Sequence, residues 1–194
     1  MPNPRPALAR PCTAPIGGGT VLTLAAAGVM ALATSPAQAQ GAGITVTADM
    51  PLRFGTFAVF SSGSRTITTT GAITDTGIFP VNSGSTGPAQ FTITYDRGNN
   101  DTRAITVIFA VTVSPPTQVT QGGITGSLSS FTTNLGGVKL FIPGQVVLAT
   151  MPNCTTRTCS RSFNIGARLD ITRSTGGAQL NLPLPVTANV ISVL

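Results

Sequence analysis

From residue 44 onward, apolar and polar residues alternate with a period of two, and this period more than anything else restricts the chain to β-structure. Ile44, Val46, Ala48 and Met50 interleave with Thr45, Thr47 and Asp49, and successive side chains of a strand point to opposite faces. Residues 65–70 give a second candidate strand, centred on Ile67. Phe91, Ile93 and Tyr95 alternate with Thr92 and Thr94. Residues 104–113 set Ile105, Val107, Phe109, Val111 and Val113 on one face, until Pro115 and Pro116 end the pattern, since proline has no ladder donor. Later candidates are 137–142, 145–149, 162–165, 167–172, 178–182 and 186–193.

Turn-forming clusters separate these segments. Examples are Ser61-Ser62-Gly63-Ser64, Gly84-Ser85-Thr86-Gly87-Pro88, Arg97-Gly98-Asn99-Asn100-Asp101, Pro143-Gly144 and Ser174-Thr175-Gly176-Gly177. Short strands with turns at such intervals predict an all-β sandwich or barrel of mostly antiparallel strands. No later segment holds an apolar face at helical spacing for three turns. The strand spacing is too uneven for a solenoid or propeller.

The first 39 residues have a different character. Arg5 and Arg10 precede an apolar run over residues 21–33, and Ala37-Gln38-Ala39 offers the small residues of a cleavage site. This is the pattern of a secretory signal peptide. The run is too short and too alanine-rich to span about 30 Å of hydrocarbon. The expectation is therefore a cleaved leader over 1–39, export, and one β-sandwich domain over 40–194. Such a chain would meet a membrane only during export.

That domain has 155 residues, enough for one core. Arg53, Arg65, Arg97, Arg103, Lys139, Arg157, Arg161, Arg168 and Arg173 oppose Asp49, Asp75, Asp96, Asp101 and Asp170, nine against five, leaving +4. The basic residues are scattered singly and no basic cluster is interleaved with aromatics. Nucleic acid is not the expected partner. Low charge does not signal disorder here, because Val, Ile, Leu and Phe remain plentiful. Nine Phe can fill a sandwich interior without polar partners. With no Trp and only Tyr95, the aromatic set resembles a core more than a sugar-binding surface.

Two cysteines remain after the leader, which carries Cys12. Cys154 and Cys159 are separated by four intervening residues in a chain bound for a compartment where disulfides persist. The spacing is not C-x-x-C, and no histidine exists to complete a zinc set. The expectation is a structural disulfide pinning a loop between the 145–149 and 162–165 strands, with no metal and no cofactor.

Catalytic constellations are missing. Without His there is no Ser-His-Asp or Cys-His arrangement. Without Glu, a glycosidase pair would have to come from the five Asp. Asp49 and Asp170 sit in strand patterns, while Asp96 and Asp101 flank a turn, where Asx-type hydrogen bonding is their ordinary role. Asp96, Asn99, Asn100 and Asp101 offer oxygens to calcium but at no EF-hand spacing. Asn153-Cys154-Thr155 matches a glycosylation acceptor only formally, its middle residue being a bridge candidate. No catalytic residue is assigned.

Leu52-Arg53-Phe54-Gly55-Thr56-Phe57, placed just after an alternating strand, forms an L-x-F-G-x-F element. Together with the segments Pro88-Ala89-Gln90-Phe91-Thr92-Ile93, Ser130-Phe131-Thr132 and Phe163-Asn164-Ile165-Gly166-Ala167-Arg168-Leu169-Asp170-Ile171, it resembles the bacterial family of exported proteins catalogued as domain of unknown function 4402 (DUF4402). The likeness covers about residues 44–193. It departs from the family where Leu180-Asn181-Leu182-Pro183-Leu184-Pro185-Val186 interrupts the closing strands, and at the Cys154–Cys159 insertion. The resemblance implies an exported, immunoglobulin-like or pilin-like sandwich, and the chain is distantly similar to fimbrial subunits of the spore coat U type. The resulting expectation is a non-enzymatic structural or adhesive cell-surface protein, a pilus-like subunit, partnered by itself or by another surface subunit. The alternative is a secreted binding module for polysaccharide or another surface component, with Arg97 to Arg103 and Arg157 on its recognition loops.

Overall fold

Where alternation is strictest, strands form as the sequence predicts. The computed structural model describes residues 42–82, 84–137 and 140–194. The predicted leader and its cleavage site lie outside the described residues. In chain order the strands are β1 (Gly43–Met50), β2 (Thr56–Ile67), β3 (Ile73–Asn82), β4 (Ala89–Asp96), β5 (Ile105–Val113), β6 (Val119–Gln121), β7 (Ile124–Thr133), β8 (Leu140–Phe141), β9 (Val146–Cys154), β10 (Thr158–Arg173) and β11 (Val186–Val193). A 3-10 turn, Leu135–Gly137, follows β7.

They form two antiparallel sheets, an all-β sandwich. The larger sheet runs β1-β4-β10-β2-β3, with β7 on the other edge of β10 and β6 and β8 beside β7; the smaller is β11-β5-β9. Ala89, Phe91, Ile93 and Tyr95 of β4 turn inward against Val107, Phe109, Val111 and Val113 of β5. Phe163 of β10 stands opposite Phe91 in register, with ring centroids 5.6 Å apart. Inward Val147, Ala149 and Met151 of β9 complete this core.

The sixteen residues of β10 make one strand where the sequence predicts two, at 162–165 and 167–172. Its first half pairs with β4, from Thr158↔Asp96 to Ile165↔Ala89. Its second half pairs with β2, from Ala167↔Ile67 to Thr172↔Ser62. Gly166 marks the changeover. A Cβ there would lie 2.7 Å from the Thr68 carbonyl carbon and closer still to the Ile67 carbonyl oxygen. Gly166 thus keeps the strand continuous, where the sequence suggested a break.

Other expectations require correction. Of residues 65–70 only 65–67 are strand, the end of a β2 that begins nine residues earlier, and 68–70 lead into the turn before β3. Residues 137–142 hold the end of the 3-10 turn and the two-residue β8. β3 has no predicted counterpart, because Gly77 and Pro80 obscure it; Pro80 is tolerated since β3 is an edge strand. β7 likewise has no predicted counterpart, because Gly126 and its serines blur the alternation, and Ser130 takes a left-handed φ of 49° opposite a register shift in β10. Residues 178–182 form no strand. Pro183 and Pro185 carry no donors, and the segment crosses the larger sheet instead of lying beside a strand.

Candidate functional site

The smaller sheet covers only part of the larger one. Beyond it, Val59 of β2 and Leu169 and Ile171 of β10 form a second apolar cluster, with Phe54, Phe57, Ile124 and Leu128 packed around them. The cover here is the strap, residues 174–185. Leu180, Leu182 and Leu184 are half-buried while Gln179, Asn181 and Pro183 are exposed. Period two thus persists in an extended chain that joins no sheet.

The strap is anchored at its ends. Ser174 donates its backbone N–H to the Gly123 carbonyl at 2.9 Å, and the Ser114 N–H reaches Pro185 O at 2.9 Å. Arg173 donates through Nε to Gly176 O at 2.9 Å and through Nη1 to Val59 O at 3.1 Å. Among the described residues, no backbone hydrogen bond holds Gly177 to Leu184. Side-chain burial alone keeps this stretch in place.

Between strap and sheet lies a cleft of about 1000 Å³. Its walls include Phe57, Leu169 and Ile171 below and Leu180 and Leu182 above, with Arg53 and Arg173 also on the lining. Arg53 is fixed through its backbone, which exchanges hydrogen bonds of 3.0 and 2.9 Å with Gly87. Its side chain is different: Nε is buried and has no hydrogen-bond partner. The carboxylates of the chain are engaged elsewhere. Asp75 pairs with Arg65, Asp96 with Arg157, Asp101 with Arg97 and Arg103, and Asp170 with Arg168. Asp49 accepts from Thr92 at 2.6 Å. The cleft therefore combines apolar walls with a cation that lacks a counter-ion.

The loops expected to carry recognition are built differently. Arg97 is buried, and its Nη1 donates to Arg103 O at 2.8 Å and Cys154 O at 3.2 Å. Asp96 Oδ1 accepts from the Gly98 N–H at 2.8 Å, Asn99 Oδ1 from Asp101 N at 3.2 Å, and Asp101 Oδ1 from Arg103 N at 3.0 Å. These backbone donors hold the Asp96 and Asp101 carboxyls below their ordinary value of 3.8, helped by Arg157 for Asp96 and by Arg103 and Arg97 for Asp101. Three of the oxygens considered for calcium, Asp96 Oδ1, Asn99 Oδ1 and Asp101 Oδ1, thus accept from the loop's own backbone. Among the described residues no three His, Cys, Asp or Glu side chains come together.

Cys154 and Cys159 form a disulfide, with Cα atoms 5.8 Å apart. It closes the loop that the sequence places between the 145–149 and 162–165 strands, and the structure adds that these strands belong to different sheets. Cys154 ends β9 in the smaller sheet and Cys159 lies near the start of β10 in the larger, so the bridge joins the two sheets. Arg97, bonded to Cys154 O, reinforces the same corner.

The cleft is not legible in the sequence, where Phe54 and Phe57 read as core, Arg53 as one of nine scattered cations, and residues 178–182 of the strap as a strand. Leucine alternation flanked by Pro183 and Pro185 was the available signal, because it pairs a buried face with a backbone that cannot complete a ladder.

The family profile described as Domain of unknown function (DUF4402) matches residues 44–188. That span takes in β1 through β10, the strap and the start of β11. No curated protein and no solved structure matches the chain.

Proposed function

The chain belongs to the DUF4402 family, and on that footing we propose that it is an exported, non-enzymatic structural or adhesive component of a cell surface. The leader-like pattern of residues 1–39 supports export. The disulfide suits an oxidising compartment.

One observation carries the adhesive part. The outer face of the smaller sheet, which would ordinarily be polar, presents Val146 and Leu148 of β9 and Ile191 of β11, each more than half exposed. Val146 and Leu148 are neighbours on one face of β9, with Leu148 opposite Ala110 and Thr150 opposite Ile108 of β5. Exposed apolar side chains grouped on one sheet face favour contact with another protein surface.

Association through this face differs from exchange of terminal strands. β1 pairs with β4 and β11 with β5 inside the same molecule. A pilus-like subunit built this way would stack faces and keep its own strands.

Three measurements test the reading. N-terminal sequencing of exported protein should begin at Gln40. Sedimentation of the mature protein should show concentration-dependent assembly, abolished by Leu148→Asp without change in the β-sheet circular dichroism. Electron microscopy should show the protein in surface structures. A protein retained in the cytoplasm, or strictly monomeric and absent from the surface, overturns the proposal.

A further inference from the structure

We propose that the cleft beneath the strap binds a single-chain anionic amphiphile, with its alkyl chain between Leu169 and Ile171 below and Leu180 and Leu182 above and its carboxylate on Arg53. Neither export nor adhesion requires this site, and it stands on separate observations.

The first is the cleft itself. Its volume of about 1000 Å³ is at the upper end of the usual range for small-ligand pockets, about 300–1,000 Å³. The walls that an alkyl chain would touch are aromatic and aliphatic.

The second is Arg53. Among the described arginines it alone has a guanidinium with neither an ion pair nor a hydrogen bond. Arg65, Arg97, Arg103, Arg157 and Arg168 have carboxylate partners, while Arg161 and Arg173 donate to backbone carbonyls. A buried donor left unpaired is unfavourable, and a charged one more so. An anionic head group supplies the missing acceptor, and guanidinium with carboxylate is among the stronger hydrogen-bonded pairs. Arg173 also lines the cleft, but its Nε and Nη1 already hold the strap and β2. The head group is accordingly assigned to Arg53.

The third observation is how the cover is held. The strap between Gly177 and Leu184 has no backbone ladder to break. An alkyl chain can replace the contacts of Leu180 and Leu182 with the floor while Ser174 and Pro185 keep both ends anchored. Entry then exchanges apolar contacts for apolar contacts, and the sheets remain intact.

The test is calorimetric titration of folded mature protein with decanoate and dodecanoate, each below its micelle concentration, with decanol as the neutral control. Burial of methylenes predicts saturable binding that tightens about fourfold per added carbon, about fifteenfold from decanoate to dodecanoate. Arg53→Gln should weaken carboxylate binding by about tenfold or more and leave decanol unchanged. Its backbone pairing with Gly87 is untouched, so the fold should persist. Leu182→Gln, on the half-buried face of the strap, should weaken acid and alcohol alike.

No saturable binding, or equal affinity of the wild type and Arg53→Gln for dodecanoate, overturns the proposal. Recruitment to phosphatidylglycerol vesicles without binding of monomeric dodecanoate also overturns it, by placing the anion at a membrane surface. Self-association that perturbs Leu180 and Leu182 and blocks dodecanoate would assign the cleft to a second copy of the chain, with the same consequence.

Discussion

Arg65 and Asp75 face each other across β2 and β3 in a fork, Nε to Oδ1 at 2.7 Å and Nη2 to Oδ2 at 2.8 Å. The Arg65 side chain is fully buried and that of Asp75 is 23% exposed. Nη1 donates to Phe54 O at 2.7 Å, and the guanidinium lies 5.1 Å from the Phe57 ring centroid. One side chain thus ties the outermost hairpin of the larger sheet to the segment bearing Arg53. Because Arg65 cannot recover water when its partner is removed, Asp75→Asn should cost about 3 kcal/mol in chemical denaturation. The partly exposed Arg168–Asp170 pair provides the contrast, and Arg168→Gln should cost less than about 1 kcal/mol. Equal effects would show that burial does not govern the first pair.

The disulfide should be fully formed in exported protein, so titration of native protein should find no reactive thiol from Cys154 or Cys159. Two reactive thiols per chain would refute this. Replacing both by Ser should lower stability by about 2 kcal/mol, the entropy of so short a loop. The Arg97 bonds to Cys154 O and Arg103 O remain in that variant, so the sandwich should survive and only the 155–157 loop should loosen. Amide exchange confined to that loop is the expected signature.

Gly166→Ala should be among the most damaging of small substitutions. The added methyl meets the Ile67–Thr68 backbone and, at 2.8 Å, Thr132 Oγ1, and backbone cannot step aside as a side chain tip can. A loss of about 3 kcal/mol is expected, about 6–12 °C in the thermal midpoint for a domain of this size. Gly177→Ala, with nothing within 4 Å of its Cβ, should change stability by less than about 0.5 kcal/mol.

Strong acid should loosen the loop between β4 and β5. The folded-state pKa values of Asp96 and Asp101 lie below 3.8, held there chiefly by the Gly98 and Arg103 amides. A depressed carboxylate stabilises the fold above its unfolded value, and that contribution is lost as pH falls through the folded value. Protection of the Gly98 and Arg103 amides should therefore hold from neutrality to about pH 4 and decline below it. Loss of protection already at pH 6 would contradict the assignment.

Fold class, β1, β4, β5, β11 and the cysteine pair were legible because each depends on near neighbours: a strict alternation, or two thiols a few residues apart. What escaped depends on distant residues. Asp75 lies on a strand that Gly77 and Pro80 disguise, so nothing local announces that Arg65 is buried. Arg53 differs from the other arginines only in lacking a partner, which emerges once every aspartate has been located. The strap shows that alternation reports a buried face, whereas a sheet also needs donors, and Pro183 and Pro185 remove two of them.

The pairing pattern also determines how the domain answers a pull. Gly43, which starts β1, sits opposite Asp96, and Val193, near the end of β11, opposite Val107. Asp96 and Val107 flank the same short loop, so both extremities of the domain emerge at one pole, on different sheets. Tension between them peels β1 from β4 and β11 from β5 one rung at a time, because antiparallel hydrogen bonds run perpendicular to the strands. The Cys154–Cys159 bridge lies at that pole but outside both peeling strands. Two outer strands can therefore yield at low force as an extensible link while the bridged β9–β10 corner holds.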